Sequence, residues 1–484
     1  MKTLETDVAV IGAGTAGMGA WWAARKHTPH VLLIESGPYG TTCARVGCMP
    51  SKLLIAAAEA AHQARHADLF GVHAGPVHVD GRAVMRRVRS ERDRFVGFVV
   101  ESVEGWPAEL RLRGVARFVD DHTLDVRSSA GETVRVRAAR IVIATGSHPA
   151  VPRAWRELLG DRIIVNDGVF DWQDLPRSVA VVGAGVIGLE LAQALHRLGV
   201  RVRLYGRGEK VGPLTDPALQ GLARELFGAE LPMSLGLSAI DPRRECEQVV
   251  VRAVDAAGDA TEEAFDLLLA ATGRRPNVDG LGLEHAGLPL DRTGVPLHEP
   301  RTGQVGASHV FLAGDASADH PVLHEAADDG RIAGDNAGRF PDVRMRPRRA
   351  PLGIVFSEPQ MMLAGQRHCD LSSSGIDFET GAVSFDDQGR SRVMGRNRGA
   401  LHVYGEHGTG RFLGAEMIGP AAEHLGHLLA WSAQRGDTVQ QMLDSPFYHP
   451  VVEEGLRTAL RQLQRALRMG PVPVERCLDC GPGA

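Results

Sequence analysis

The chain has few cysteines, no long apolar run and no surplus of positive charge. Six cysteines in 484 residues are too few for the disulfide framework that staples small secreted domains. No apolar run reaches the roughly 18 residues that a membrane-crossing helix needs. The formal net charge is −5, so the basic footprint of a nucleic-acid binder is missing. The N-terminus runs almost at once into Asp7-Val8-Ala9-Val10-Ile11-Gly12, which leaves no room for a charged, apolar and cleavable leader. These absences point to a cytoplasmic protein with neither membrane nor nucleic acid as partner. Hydrophobic content of 44% and charged content of 23% are those of a soluble globular protein. The length implies roughly two to four domains.

The first recognisable unit is an apolar strand, Val8 to Ile11, followed by Gly12-Ala13-Gly14-Thr15-Ala16-Gly17. A helical stretch and a second apolar strand, Val31 to Ile34, lead to Glu35. Glycines at 12, 14 and 17 let backbone approach a pyrophosphate at a helix N-terminus. Glu35, eighteen residues past Gly17, is placed to accept bonds from a ribose diol. The pattern recurs at Val179 to Val182 with Gly183, Gly185 and Gly188, then a helix and the strand Val200 to Tyr205. Two dinucleotide sites follow. Where the first copy has Glu35, the second has Gly206, with Arg207 next to it. A missing acid and an adjacent cation favour a ribose 2′-phosphate, hence NADPH over NADH. A solvated surface arginine is the other reading of Arg207.

Between the two copies lie Cys43 and Cys48, followed by Pro50-Ser51-Lys52. An ideal helix would hold Cα atoms five positions apart at roughly 8–9 Å, and a disulfide needs less than about 7 Å. A bridge therefore requires a distorted turn, which Gly47 permits. Such a small, accessible ring suits a bond that opens and closes. The pair alone is equally compatible with two unrelated buried thiols. Pro50 suits the first turn of a helix. Two apolar strands end in Thr-Gly, at Thr145-Gly146 and Thr272-Gly273, and a third ends in Gly314-Asp315. The run Arg344 to Pro351 is basic and Pro-rich, a linker by composition; so short a run is usually solvated rather than bound to nucleic acid. Near the end, Pro450 suits a helical first turn, with His449 at the cap and Glu454 about one turn on. A carboxylate there would orient the imidazole and make it a proton acceptor, whereas an ordinary capping histidine is the simpler reading.

Taken together, these motifs resemble the class I pyridine nucleotide-disulfide oxidoreductases, a family that includes dihydrolipoyl dehydrogenase, glutathione reductase and mercuric reductase. The resemblance covers nearly the whole chain. It implies an α/β fold of two Rossmann-like dinucleotide-binding domains and a C-terminal α+β dimerisation domain. The expected division is 1–150 with 278–346 for FAD, 151–277 for NAD(P), and 347–484 for the interface. The resemblance further implies that Cys48 faces the flavin and Cys43 exchanges with substrate. His449, oriented by Glu454, would be the base, supplied by the partner subunit of a homodimer. Lys52 and Glu190 correspond to an ion pair beside the flavin, and Asp315 to the residue bonding its ribityl chain. Thr42, Thr145, Gly146 and Gly273 fall at further cofactor-contact positions. No residue is assigned as a metal ligand. The implied activity is dihydrolipoyl dehydrogenase-like transfer of electrons between NAD(P)H and a disulfide or dithiol. NADPH-dependent mercuric-ion reduction and a non-catalytic redox-sensing flavoprotein are the alternatives.

Three departures stand out. Arg45 lies between the cysteines where the family commonly has Asn; it either favours thiolate at Cys43 or packs outward. Gly206-Arg207 resembles the NADPH-using members. The tail carries Cys477 and Cys480, with two residues between them rather than adjacent, compatible with a relay, a metal clip or an incidental end.

Overall fold

The computed structural model describes residues 2–468, so the Cys477/Cys480 expectation lies outside the described residues. The repeated glycine fingerprints build two parallel sheets. In the first, the fully buried run Val8 to Ile11 ends the strand Lys2–Ile11, which pairs in parallel with Val31–Glu35 and with Thr133–Ile143. Thr133–Ile143 serves two neighbours along its length. Its first half takes the antiparallel strand Thr123–Arg127, and its second half takes Val310–Leu312 in parallel. The chain thus returns to this sheet after visiting the second, and brings Asp315 to its carboxyl edge. That edge is where parallel α/β sheets bind ligands.

The second sheet aligns Arg201–Tyr205, Ser178–Val182 and Leu267–Ala270 in parallel. An antiparallel meander of Ala239–Glu245, Gln248–Val254 and Ala260–Phe265 supplies its crossover. The third sheet is antiparallel and five-stranded, in the order Leu352–Val355, Gln360–Gly365, Phe412–Gly419, Ala400–Glu406, Phe378–Ser384. The helices Ala422–Arg435 and Glu453–Leu467 cover it through a core that includes Leu425, Leu429, Leu456, Leu460 and Leu463. The sequence pattern gave no sign of Gln360–Gly365 or Phe412–Gly419. The second of these is buried at every position, so it lacks the alternation that marks a half-exposed strand.

Close helix packing fixes the first fingerprint. The helix Thr15–Ala24 lies against Leu323–Arg339. A Cβ at Gly330 would sit 2.1 Å from the Ala16 carbonyl oxygen, and one at Gly334 2.2 Å from that of Ala20. Only glycine permits that approach. The basic run after this helix is an exposed connection, as its composition implies, but its arginines are ion-paired. Arg346 pairs with Asp335 at 2.9 Å, Arg349 with Asp328 at 2.8 Å, and Arg348 with both Glu325 and Asp329. The acids all belong to Leu323–Arg339, whose negative face draws the arginines down along it. No helix among the described residues is long and apolar enough to cross a membrane.

Candidate functional site

Gly47 breaks the chain into two helices, Thr42–Val46 and Cys48–Arg65. A Cβ on it would lie 3.1 Å from the Thr42 carbonyl oxygen and 3.3 Å from Cys43 Cα. Glycine lets the second helix begin folded back over Cys43, so the distorted turn expected from the spacing is present. Pro50 lies in the first turn of Cys48–Arg65, as expected. Both cysteines are free thiols and in hydrogen-bond contact. Cys43 donates to Cys48. That bond and the nearby Lys52 cation bring the Cys48 thiol down to about 6, against the opposing effects of burial and Glu190. The same bond, together with burial, pushes Cys43 upward. One sulfur is thus prepared as thiolate and the other as thiol.

Lys52 follows Cys48 by one helical turn and donates to Glu190 Oε2 at 2.8 Å. Glu190, 5% exposed, belongs to the helix Val186–Arg197 of the second fingerprint. Its other oxygen accepts the Phe356 N–H at 2.9 Å. The Lys52 ammonium stands 4.6 Å from the Phe356 ring centroid, a cation–π distance. Three parts of the chain meet at this pair. Arg45 is half-buried, acts electrostatically on Asp167, and lines a cavity with Gly14, Glu35 and Thr145. Its stem would contact a Cβ at Gly40, and the charged influences on Cys43 are Cys48 and Lys52.

The two glycine turns are near copies. Gly12 has φ +106°, and a Cβ there would be 2.3 Å from the Ala144 carbonyl oxygen. Gly183 has φ +115°, with the corresponding clash at 2.2 Å from Ala271. A Cβ at Gly17 or Gly188 would lie 1.8 Å from the carbonyl oxygen of Gly12 or Gly183. Gly14 and Gly185, by contrast, face open space. The Glu35 carboxylate accepts the Ala13 and Gly37 N–H groups, each at 2.6 Å. Asp315 Oδ2 accepts the Ser147 hydroxyl at 2.7 Å.

One cavity of about 480 Å³ runs from Gly14 past Cys43, Cys48, Lys52 and Glu190 to Asp315 and Phe356. A second, of about 490 Å³, shares Gly14, Thr42 and Gly146 with it and continues to Glu35 and Thr145. The buried Thr145 Oγ1 has no partner among the described residues. A glycine cradle, an orphaned hydroxyl and two cavities with shared walls fit an elongated dinucleotide such as FAD. A third cavity, about 810 Å³, adjoins Gly183, Tyr205, Thr272 and Arg207. Arg153, Arg156 and Arg275 also line it, and among the described residues no carboxylate does. Gly273, just past Thr272, has φ +115°.

His449 Nδ1 lies 3.1 Å from both oxygens of Glu454. Glu454 also accepts the Val451 N–H at 3.2 Å and Arg457 at 3.3 Å. Pro450 does not open the helix, which spans Glu453–Leu467; the turn before it is closed instead by the Glu454 carboxylate on Val451. The His449 side chain is 78% exposed and does not line the cysteine cavity. Within one chain the structure gathers Cys43, Cys48, Lys52, Glu190 and Asp315, and leaves His449 and Glu454 apart. Phe356, Ser147 and Arg274 bear on the site without having been assigned to it. The Arg274-Arg275-Pro276-Asn277 run after Thr272-Gly273 was the available signal for Arg274.

Comparison with known proteins gives two family matches. Residues 6–330 match the family described as Pyridine nucleotide-disulphide oxidoreductase, and residues 352–460 match its dimerisation domain. Dihydrolipoyl dehydrogenase of Bacillus subtilis is 29% identical over 465 residues, covering 94% of this chain and 97% of that protein. Mercuric reductase of Streptomyces lividans is 30% identical over 470 residues, covering 94% and 95%. LpdA from Mycobacterium tuberculosis has a similar fold, with TM-score 0.81 at 23% identity over 95% of this chain and 99% of that one.

Proposed function

The chain belongs to the pyridine nucleotide-disulphide oxidoreductase family, and we propose that it passes electrons from NADPH to a small disulfide of the lipoyl class through Cys43 and Cys48. FAD dependence, pyridine-nucleotide use and action on a sulfur group come with the family. The observation that carries the proposal is the single cavity holding the first glycine cradle, both cysteines, Lys52 and Glu190. When bound, FAD supplies two-electron transfer between nicotinamide and sulfur. Gly12, Gly14 and Gly17 would take its pyrophosphate, with Glu35, Thr42, Thr145, Gly146 and Asp315 along its length.

The protein's own residues divide the remaining work. Val186, Ile187 and Glu190 bring the second fingerprint to the cavity wall, where Gly183, Gly185, Gly188 and Gly273 would seat the nicotinamide nucleotide. Lys52 holds a fixed positive charge beside the site, and Glu190 with Phe356 keeps it there. Cys48, with its lowered pKa, is the thiolate held inside the cavity. Cys43 keeps its proton until a substrate disulfide draws it into exchange. The base that takes this proton is His449 of the partner subunit, held by that subunit's own Glu454. The dimerisation-domain match supports such a homodimer. We divide the chain at 1–150 with 278–346, 151–277 and 347–484, which separates the three sheets. The arginine-lined cavity at Arg207, free of carboxylates among the described residues, favours a nucleotide carrying a 2′-phosphate.

A metal-ion reductase is the second reading. Its support is the 30% identity to a mercuric reductase and a thiolate at Cys48 able to bind soft cations. Steady-state rates with lipoamide, glutathione disulfide and mercuric ion, each with NADPH and NADH, test the assignment. Preference for lipoamide with NADPH supports it; turnover confined to mercuric ion replaces it with the second reading.

A further inference from the structure

The chain passes between its two glycine-cradle units along two short strands that pair with each other. Ser147–Pro149 lies antiparallel to Arg274–Pro276. Asn277 locks the crossing, donating from Nδ2 to the Thr145 carbonyl oxygen at 2.9 Å. From the second unit, Arg274 reaches back over this ribbon. Its Nε donates to Ser147 Oγ at 2.8 Å and its Nη2 to the Ser147 carbonyl oxygen at 2.8 Å. Ser147 Oγ accepts from the guanidinium and donates to Asp315 Oδ2 at 2.7 Å. The hydroxyl proton therefore has one direction to point. Arg274 and Asp315 both line the cavity that holds the cysteines.

We propose that Arg274 is a positioning residue for the flavin. Through Ser147 it fixes the Asp315 carboxylate by one oxygen and leaves Oδ1 for the ligand. Flavin affinity is thereby tied to the seating of the second unit on the first, because Arg274 enters from one and Asp315 from the other. The fork is essential. A planar guanidinium donates to the hydroxyl and the carbonyl at once, and an ammonium does not match that geometry. The inference rests on the reading of this cavity as the flavin site.

Ser147→Ala, Arg274→Met, Arg274→Lys and the double variant Ser147→Ala/Arg274→Met test it. The readouts are the FAD dissociation constant, from recovery of free flavin fluorescence, and thermal unfolding of the FAD-free protein. Each single variant should bind FAD about ten-fold more weakly, the size expected for a hydrogen bond involving a charged group. Arg274→Lys should not restore affinity. The double variant should match the weaker single one within about two-fold, since both act on one relay. FAD-free unfolding should change little, so that the loss belongs to binding. Wild-type affinity in the single variants, rescue by lysine, or an additive double variant would each overturn the proposal. Failure of the wild-type protein to bind FAD would instead defeat the flavin reading beneath it.

Discussion

Lys52 and Glu190 form an ion pair of 2.8 Å across the two glycine-fingerprint units, and the pair acts on Cys48 with opposite signs. Lys52 favours the Cys48 thiolate, and Glu190 disfavours it. In a Cys43→Ser protein loaded with FAD, the Cys48 thiolate should give a long-wavelength absorbance band. That band should grow as pH rises and fade as pH falls, because deprotonation of Cys48 forms the thiolate. Adding Lys52→Met should move the midpoint up, and adding Glu190→Gln should move it down. Shifts of the same sign from both would show that the pair does not set this thiol.

The His449–Glu454 contact lies away from the cysteine cavity of its own chain, so the proposed base has to come from a second copy. A His449→Ala protein should lose about 10²–10⁴-fold in disulfide turnover. A Cys43→Ser protein should be inactive. Refolded as an equal mixture, the two should recover about a quarter of wild-type activity, because half of the dimers are mixed and each holds one intact site. Absence of recovery in verified mixed dimers would place the base elsewhere.

Nicotinamide choice is proposed to rest on Gly206 and Arg207. The double variant Gly206→Glu/Arg207→Ala should lower kcat/KM for NADPH by about ten- to a hundred-fold, the range for a lost charge-assisted bond. NADH should be spared or improved. Equal loss with both nucleotides would mean that the arginine-lined cavity holds something other than the 2′-phosphate.

Glu416 is fully buried within the strand Phe412–Gly419. It accepts the backbone N–H groups of Thr215, Asp216 and His368 at 2.6, 3.0 and 2.9 Å. It thereby ties the second parallel unit to the C-terminal sheet. Glu416→Ala strands those donors and should destabilise the protein by about 1–3 kcal/mol. Urea denaturation monitored by tryptophan fluorescence would measure the loss. An unchanged midpoint would show that water replaces the carboxylate without cost.

The cysteine site and both glycine turns were legible because their chemistry is local. Cys43 and Cys48 are five positions apart, and each turn carries its own steric reason for glycine. Glu416 was not legible, since a buried carboxylate in an apolar run shows no partner until the chain folds. The pairing of Arg348 was hidden because its acids, Glu325 and Asp329, lie on an earlier helix. Pro450 misled because proline also occupies turns that merely precede a helix. Phe356 was invisible for a related reason: its contribution to the ion pair comes partly from its backbone N–H, which every residue but proline has.

Anaerobic titration of the flavin-loaded protein with NADPH tests the electron route most directly. Two electrons per subunit should produce the long-wavelength band of a Cys48 thiolate, and that band should be lost in Cys48→Ser. Direct bleaching of the flavin by the first two electrons, with both thiols already free and unresponsive to oxidant, would contradict it.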